Sequence, residues 1–129
     1  MVNFLVGTFV VLHGLVHLWY VTLSQQIVEF QREMGWTGES WLLPQTLQES
    51  AGRTLASLLF TAAAVAFVVT GAGIYSNASW WRAALAASAV LSSVSLVLFW
   101  DGSPAMLVQK GGLAFVINVI FLAVVAAMA

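Results

Sequence analysis

Long apolar stretches alternate with short polar ones along the whole of this 129-residue chain. Four of the stretches are each about 20 residues long, which is enough for an α-helix to cross a bilayer core of roughly 30 Å. They are Val2–Leu23, Arg53–Tyr75, Trp80–Trp100 and Gly111–Ala129. None has an acidic residue in its interior. Because backbone polar groups in lipid must be satisfied within the segment, the pattern predicts four membrane-spanning helices and no strands.

The first connection between these stretches is long but keeps helical spacing. Ile27, Phe30 and Met34 recur at i, i+3 and i+7. Gly35 follows where a helix commonly ends on glycine, and Pro44 fits the first turn of a new helix. We therefore expect the first two helices to continue beyond the bilayer and to pair as a short antiparallel hairpin. A surface-lying amphipathic segment is the alternative.

The predicted fold is all-α, an integral membrane four-helix bundle formed by residues 1–129 as a single domain. Trp36 and Trp41 are expected at the tip of the hairpin. The short turn 76–79 joins the second and third helices, and Ser103 before Pro104 is typical of a helix start. The helices are accordingly placed at about 2–34, 44–75, 80–100 and 104–129.

Composition agrees with a membrane location and limits the partners. Hydrophobic residues make up 61% of the chain and charged residues 7%, whereas soluble domains carry roughly 25% charged residues. The chain is therefore expected to contact the lipid bilayer. A net charge of −1 offers no basic patch, so nucleic acid is not an expected partner. The absence of cysteine excludes disulfides, Fe–S clusters and thiolate zinc sites.

The charged residues are distributed unequally between the two membrane surfaces. Only Arg82 falls on the side of the short turn, whereas the other charged residues fall on the opposite side, here called side B. Side B includes Arg32, Arg53 and Lys110, so the positive-inside rule predicts a multi-pass protein of the cell membrane with side B in the cytoplasm. Asp101 and Lys110 are expected to pair at this surface.

The candidate site lies in the middle of the first helix. His13 and His17, at i and i+4, share one face of that helix one turn apart, and Tyr20 extends the stripe toward side B. Ionisable residues within a bilayer usually face the bundle interior, which makes them functional candidates. Residue counting places Ser92 and Asn118 at a depth similar to that of His13. We predict that these five residues form a ligand-binding site or a polar network.

Four interpretations of the two histidines remain open. A metal held by His13 and His17 is the least favoured, because no third ligand lies within the membrane. A haem with two imidazole ligands would have to bridge two chains, because adjacent turns cannot supply opposite axial ligands. A quinone or lipid head group could hydrogen-bond a neutral histidine. The interpretation that we favour needs no ligand: both histidines are neutral and bond to neighbouring helices.

Small residues occur at spaced positions on the first two helices. Gly7 and Gly14 lie near one face of the first helix, and Ala64 and Gly71 lie on the second, so close packing within the chain is expected.

The segment V-G-T-F-V-V-L-H-G-L-V-H-L-W, which ends at Trp19, resembles the first helix of many small uncharacterised prokaryotic four-helix membrane proteins. The helix layout is also similar to that of the DoxX-like group. That group's association with quinone-linked redox complexes is compatible with a hydrophobic-ligand role here, and the resemblance transfers no individual residue roles.

No group of reactive side chains in the sequence indicates an enzyme active site. We expect a small polytopic protein that acts as a scaffold or accessory subunit, in a homo-oligomer or in a larger membrane complex. The alternative is a protein that binds quinone, lipid or haem at His13 and His17. A proton-coupled transporter ranks third because the spans contain no buried carboxylate to carry the proton.

Overall fold

The computed structural model describes residues 1–25, 27, 40–48 and 51–129. In this part of the chain every regular element is helical. The elements are α1 (Val2–Ser24), α2 (Gln45–Gln48), α3 (Ala51–Tyr75), α4 (Trp81–Leu98), a π-helical turn (Val108–Gly112) and α5 (Leu113–Ala127). Within the described residues, α1, α3, α4 and the segment Val108–Ala127 are long and apolar enough to cross a membrane. The prediction of an all-α, four-span membrane protein is confirmed.

The four spans pack in chain order, with α1 along α3, α3 along α4 and α4 along α5. The centre of the bundle contains several large aromatic side chains, among them Phe60 and Phe67 from α3 and Phe121 from α5. The outer faces carry exposed apolar residues such as Leu12 and Ile120. Apolar outer faces of this kind suit a bundle surrounded by lipid.

Glycine allows α1 and α3 to approach each other closely. A Cβ atom added to Gly14 would lie 2.5 Å from the Cβ of Phe67 and 3.1 Å from the carbonyl oxygen of Ala64. A Cβ added to Gly71 would lie 3.1 Å from the carbonyl oxygen of Gly7. The small residues of these two helices therefore pack against each other within the chain, as their positions in the sequence predict.

The first helix is shorter than predicted. It ends at Ser24 rather than continuing to residue 34. The Gln25 N–H donates to the Val21 carbonyl at 3.0 Å, and the Ile27 N–H donates to the Thr22 carbonyl at 3.1 Å. These bonds satisfy carbonyl groups that a helix end leaves free, at the point where the apolar run is over. Most of the predicted hairpin, including Trp36, lies outside the described residues.

Trp41, which was expected at the tip of the hairpin, lies against the C-terminal end of α4. Its indole N–H donates to the Val97 carbonyl at 2.7 Å, and its backbone N–H donates to the Trp100 carbonyl at 3.0 Å. The hydroxyl of Ser40 donates to the Leu98 carbonyl. The segment 40–41 thus supplies hydrogen-bond donors to carbonyl groups at the end of α4.

The last span begins at Val108 rather than at residue 104. Two residues near this start have positive φ. Met106, which precedes the span, has a φ of 53°, and Gly111, within its first turn, has a φ of 99°. The left-handed conformation favours glycine, and it interrupts the regular helix at Gly111. The Gly112 N–H donates to the Leu107 carbonyl at 2.8 Å, five residues back, which is π-helical bonding.

Candidate functional site

Three helices contribute polar side chains to the centre of the bundle. His13 and His17 project from α1, Ser92 from α4 and Asn118 from α5. His17, Ser92 and Asn118 have no exposed surface, and His13 is 5% exposed. Each residue lies on the buried face of its helix, as expected for polar groups that avoid lipid. The structure therefore brings together four of the five residues selected from the sequence.

These four side chains are joined by an unbroken series of hydrogen bonds, here called the histidine network. The Nε2 atom of His13 is 2.9 Å from the Oδ1 atom of Asn118. The Nδ2 atom of Asn118 is 2.7 Å from the Oγ atom of Ser92, which is 2.6 Å from the Nε2 atom of His17. The series ends where the Nδ1 atom of His17 lies 3.1 Å from the carbonyl oxygen of His13.

The donors and acceptors of the histidine network allow one arrangement of protons. A carbonyl oxygen only accepts, so His17 donates through its Nδ1–H and its Nε2 is the acceptor in the neutral ring. The Ser92 hydroxyl donates to that Nε2 and accepts from the amide of Asn118. The amide oxygen of Asn118 then accepts from the Nε2–H of His13. Each bond has one donor and one acceptor while both histidines stay neutral.

Aromatic rings surround the two imidazoles. The ring of His13 meets Phe67 edge to face at 4.9 Å between centroids and Phe121 at 5.4 Å. The ring of His17 lies 5.6 Å from that of Phe67 and 6.4 Å from that of Phe60. This apolar wall separates the histidine network from lipid and water, and hydrogen bonds strengthen in such surroundings.

Tyr20 adjoins the histidine network without a hydrogen bond to it. Its ring is 6.0 Å from that of His17 and 5.0 Å from that of Phe60. The hydroxyl points toward the broken first turn of the last span, where a Cβ on Gly111 would lie 3.1 Å from it. Among the described residues no side chain or backbone group hydrogen-bonds this hydroxyl. Tyr20 therefore belongs to a second polar region closer to side B.

The hydrogen bonds that the two histidines already make limit which ligands their ring nitrogens could bind. Both ring nitrogens of His17 are engaged, and the Nε2 of His13 is engaged as well. In the described ranges no three His, Asp or Glu side chains come together in a group suited to a metal ion. Because Ser92 and Asn118 are completely buried, a quinone or haem would reach the site only by separating helices and breaking these bonds.

Further polar contacts between spans were not predicted from the sequence. The Thr70 and Ser88 hydroxyls lie 3.1 Å apart between α3 and α4, and those of Ser24 and Ser57 lie 2.7 Å apart between α1 and α3. Ser88 lies one turn before Ser92 on the same face of the helix, and this spacing could have indicated that Ser88 also faces a neighbouring helix. By contrast, the buried Oγ atom of Ser93 has no hydrogen-bond partner within the described part of the chain.

Comparison with protein-family models, curated proteins and solved structures finds no match to this chain. The resemblance to the DoxX-like group therefore gains no support beyond the shared layout of four apolar helices.

Proposed function

We propose that this protein acts as a membrane-embedded scaffold or accessory subunit, in a homo-oligomer or in a larger membrane complex. The observation that carries the proposal is the histidine network. His13 and His17 are the residues in the spans best suited to bind a ligand, and they bond instead to Ser92 and Asn118. Polar groups satisfied in this way hold helices together.

The outer surface of the spans supports the same proposal. Phe9 and Leu12 on α1 and Val116 and Ile120 on α5 are exposed, and such faces can contact either lipid or another membrane helix. The segment Val108–Ala127 is the least buried of the four spans. Lateral contacts through these faces would leave the interior undisturbed. The cytoplasmic orientation of side B stays a prediction.

Site-specific photo-crosslinking tests the proposal in native membranes. A photoreactive phenylalanine analogue is placed at Leu12 or at Ile120, both of which face outward. The matched control carries the analogue at Phe121, which is 8% exposed and faces the bundle. We expect protein–protein adducts from the outward positions and intrachain products from the control. Native mass spectrometry of the protein in mild detergent should then give a stoichiometric assembly.

The opposite outcome would favour the ligand-binding alternative. A monomer that forms only lipid adducts from both outward positions contradicts a scaffold. A visible absorption band or a co-extracted quinone, lost in His13→Ala and His17→Ala, would establish instead that the histidines hold a cofactor. The two functions therefore predict different results in the same preparation.

A further inference from the structure

A part-buried ion pair joins the two ends of the third connection. The Nζ atom of Lys110 is 2.5 Å from the Oδ2 atom of Asp101, and the two side chains are 9% and 11% exposed. The other carboxylate oxygen of Asp101 accepts the backbone N–H of Ser103 at 2.9 Å. The pairing predicted from the sequence is confirmed, and the charges lie much deeper than those of a typical surface pair.

This ion pair leaves polar groups without partners. A lysine ammonium carries three N–H donors, and one of those of Lys110 is used by Asp101. In the described residues neither of the other two has an acceptor. The Tyr20 hydroxyl, on a side chain that is 5% exposed, is in the same situation. Polar groups on side chains as enclosed as these usually bond to protein or to water.

A small cavity lies between these groups. Its volume is about 10 Å³, close to the minimum that one water molecule needs. Tyr20, Asp101 and Lys110 line it together with three aromatic side chains, Phe60, Phe99 and Trp100. A bound water usually has two to four polar partners, roughly the number that these three side chains provide. The aromatic walls leave too little room for a larger ligand.

We propose that this cavity is a binding site for a single water molecule, held by Lys110, Asp101 and Tyr20. The water accepts a hydrogen bond from the Lys110 ammonium and donates its two O–H groups to the Tyr20 hydroxyl and to the Asp101 carboxylate. It thereby links α1 to the first turn of the last span. The positive φ of Gly111 brings this turn against the Tyr20 hydroxyl. Broken helices in membrane proteins are tolerated where they line such a polar cavity.

Radiolytic hydroxyl-radical labelling of the full chain in lipid nanodiscs tests the site, because radicals formed from a bound water modify the side chains beside it. Phe60 lines the cavity, and Phe67 on the same helix does not. Both are almost completely buried, at 2% and 0% exposure, and have the same intrinsic reactivity. We expect Phe60 to be labelled several-fold faster than Phe67. Equal rates would overturn the proposal.

The variant Tyr20→Phe separates the role of the hydroxyl from that of the cavity. It removes one partner of the water and keeps the ring, so labelling of Phe60 should fall toward the rate of Phe67. The matched control is Tyr75→Phe near the opposite membrane surface, where the hydroxyl bonds Thr8, and it should leave the Phe60 rate unchanged. If Phe60 is labelled equally fast in Tyr20→Phe and in the original protein, Tyr20 does not hold the water.

Discussion

Replacing Ser92 with alanine tests whether the histidine network stabilises the bundle. The Ser92 hydroxyl accepts from Asn118 and donates to His17, at 2.7 and 2.6 Å. The substitution removes one oxygen atom and leaves both partners in place. His17 and Asn118 are completely buried, so neither can replace the lost bond with water.

The expected magnitude follows from the number of bonds lost. Hydrogen bonds between membrane helices contribute about 0.6 kcal/mol on average and up to about 1.7 kcal/mol each. Ser92→Ala breaks two of them, so the free energy of unfolding should fall by about 1 to 3 kcal/mol. The upper part of this range is expected because both partner groups remain buried without a bond.

The neighbouring residue on the same helix provides a matched control. The Oγ atom of Ser93 is buried and has no hydrogen-bond partner among the described residues. Ser93→Ala makes the same chemical change at nearly the same depth and removes no bond. The free energy of unfolding should stay within about 0.5 kcal/mol of the original value or rise, because an unpaired buried hydroxyl is itself unfavourable.

Equilibrium unfolding of the purified protein in mixed micelles, with helicity followed by circular dichroism as SDS is added, measures both variants. We expect a clear difference in stability between the variants of two serines that are adjacent in sequence. Equal effects of Ser92→Ala and Ser93→Ala would refute it, because the histidine network would then contribute nothing beyond the packing of a hydroxyl.

Three further predictions use the same unfolding assay. In a double-mutant cycle, Asn118→Leu and Ser92→Ala should be less destabilising together than the sum of their separate effects, because both interrupt one network, and strict additivity would contradict this. Gly14→Ala should destabilise by about 1 to 3 kcal/mol, because the new methyl group would meet Phe67 and the Ala64 backbone. Gly7→Ala should have less effect, because its methyl group would meet only the Tyr75 ring. The reverse order would refute this account of the α1–α3 contact. Asp101→Asn should destabilise by about 1 kcal/mol or more, because it leaves a part-buried ammonium without its counter-charge. Arg82→Gln on the other surface should have little effect, and similar values for the two variants would show that the Asp101–Lys110 pair is not important for stability.

Hydropathy alone predicts the four spans and the short turn between α3 and α4, because a membrane imposes both the length and the composition of its helices. The depth of His13, Ser92 and Asn118 could also be predicted, since the rise per residue of a helix is fixed. Which atoms bond could not be predicted, because it depends on how each helix rotates about its axis. That rotation is set by packing between spans.

The structure differs from the sequence-based expectation where the backbone leaves regular geometry. Ser103-Pro104 is a valid start signal, yet the helix begins at Val108. The pair Gly111-Gly112 was the available clue, because adjacent glycines weaken a helix and one of them adopts positive φ. Spacing rules predicted that Asp101 and Lys110 would pair, but they assume regular geometry and could not indicate that the break would bring this turn against Tyr20.

The histidine network holds together helices that do not pack closely side by side. Glycines bring α1 against α3, whereas α1 reaches α4 and α5 largely through the side chains of His13 and His17. In lipid there is no hydrophobic force to press apolar helices together, so polar bonds at the centre are an effective way to close the bundle. His13→Ala should accordingly lower the midpoint of thermal unfolding in detergent. An unchanged midpoint would show that packing between α1 and α3 is sufficient.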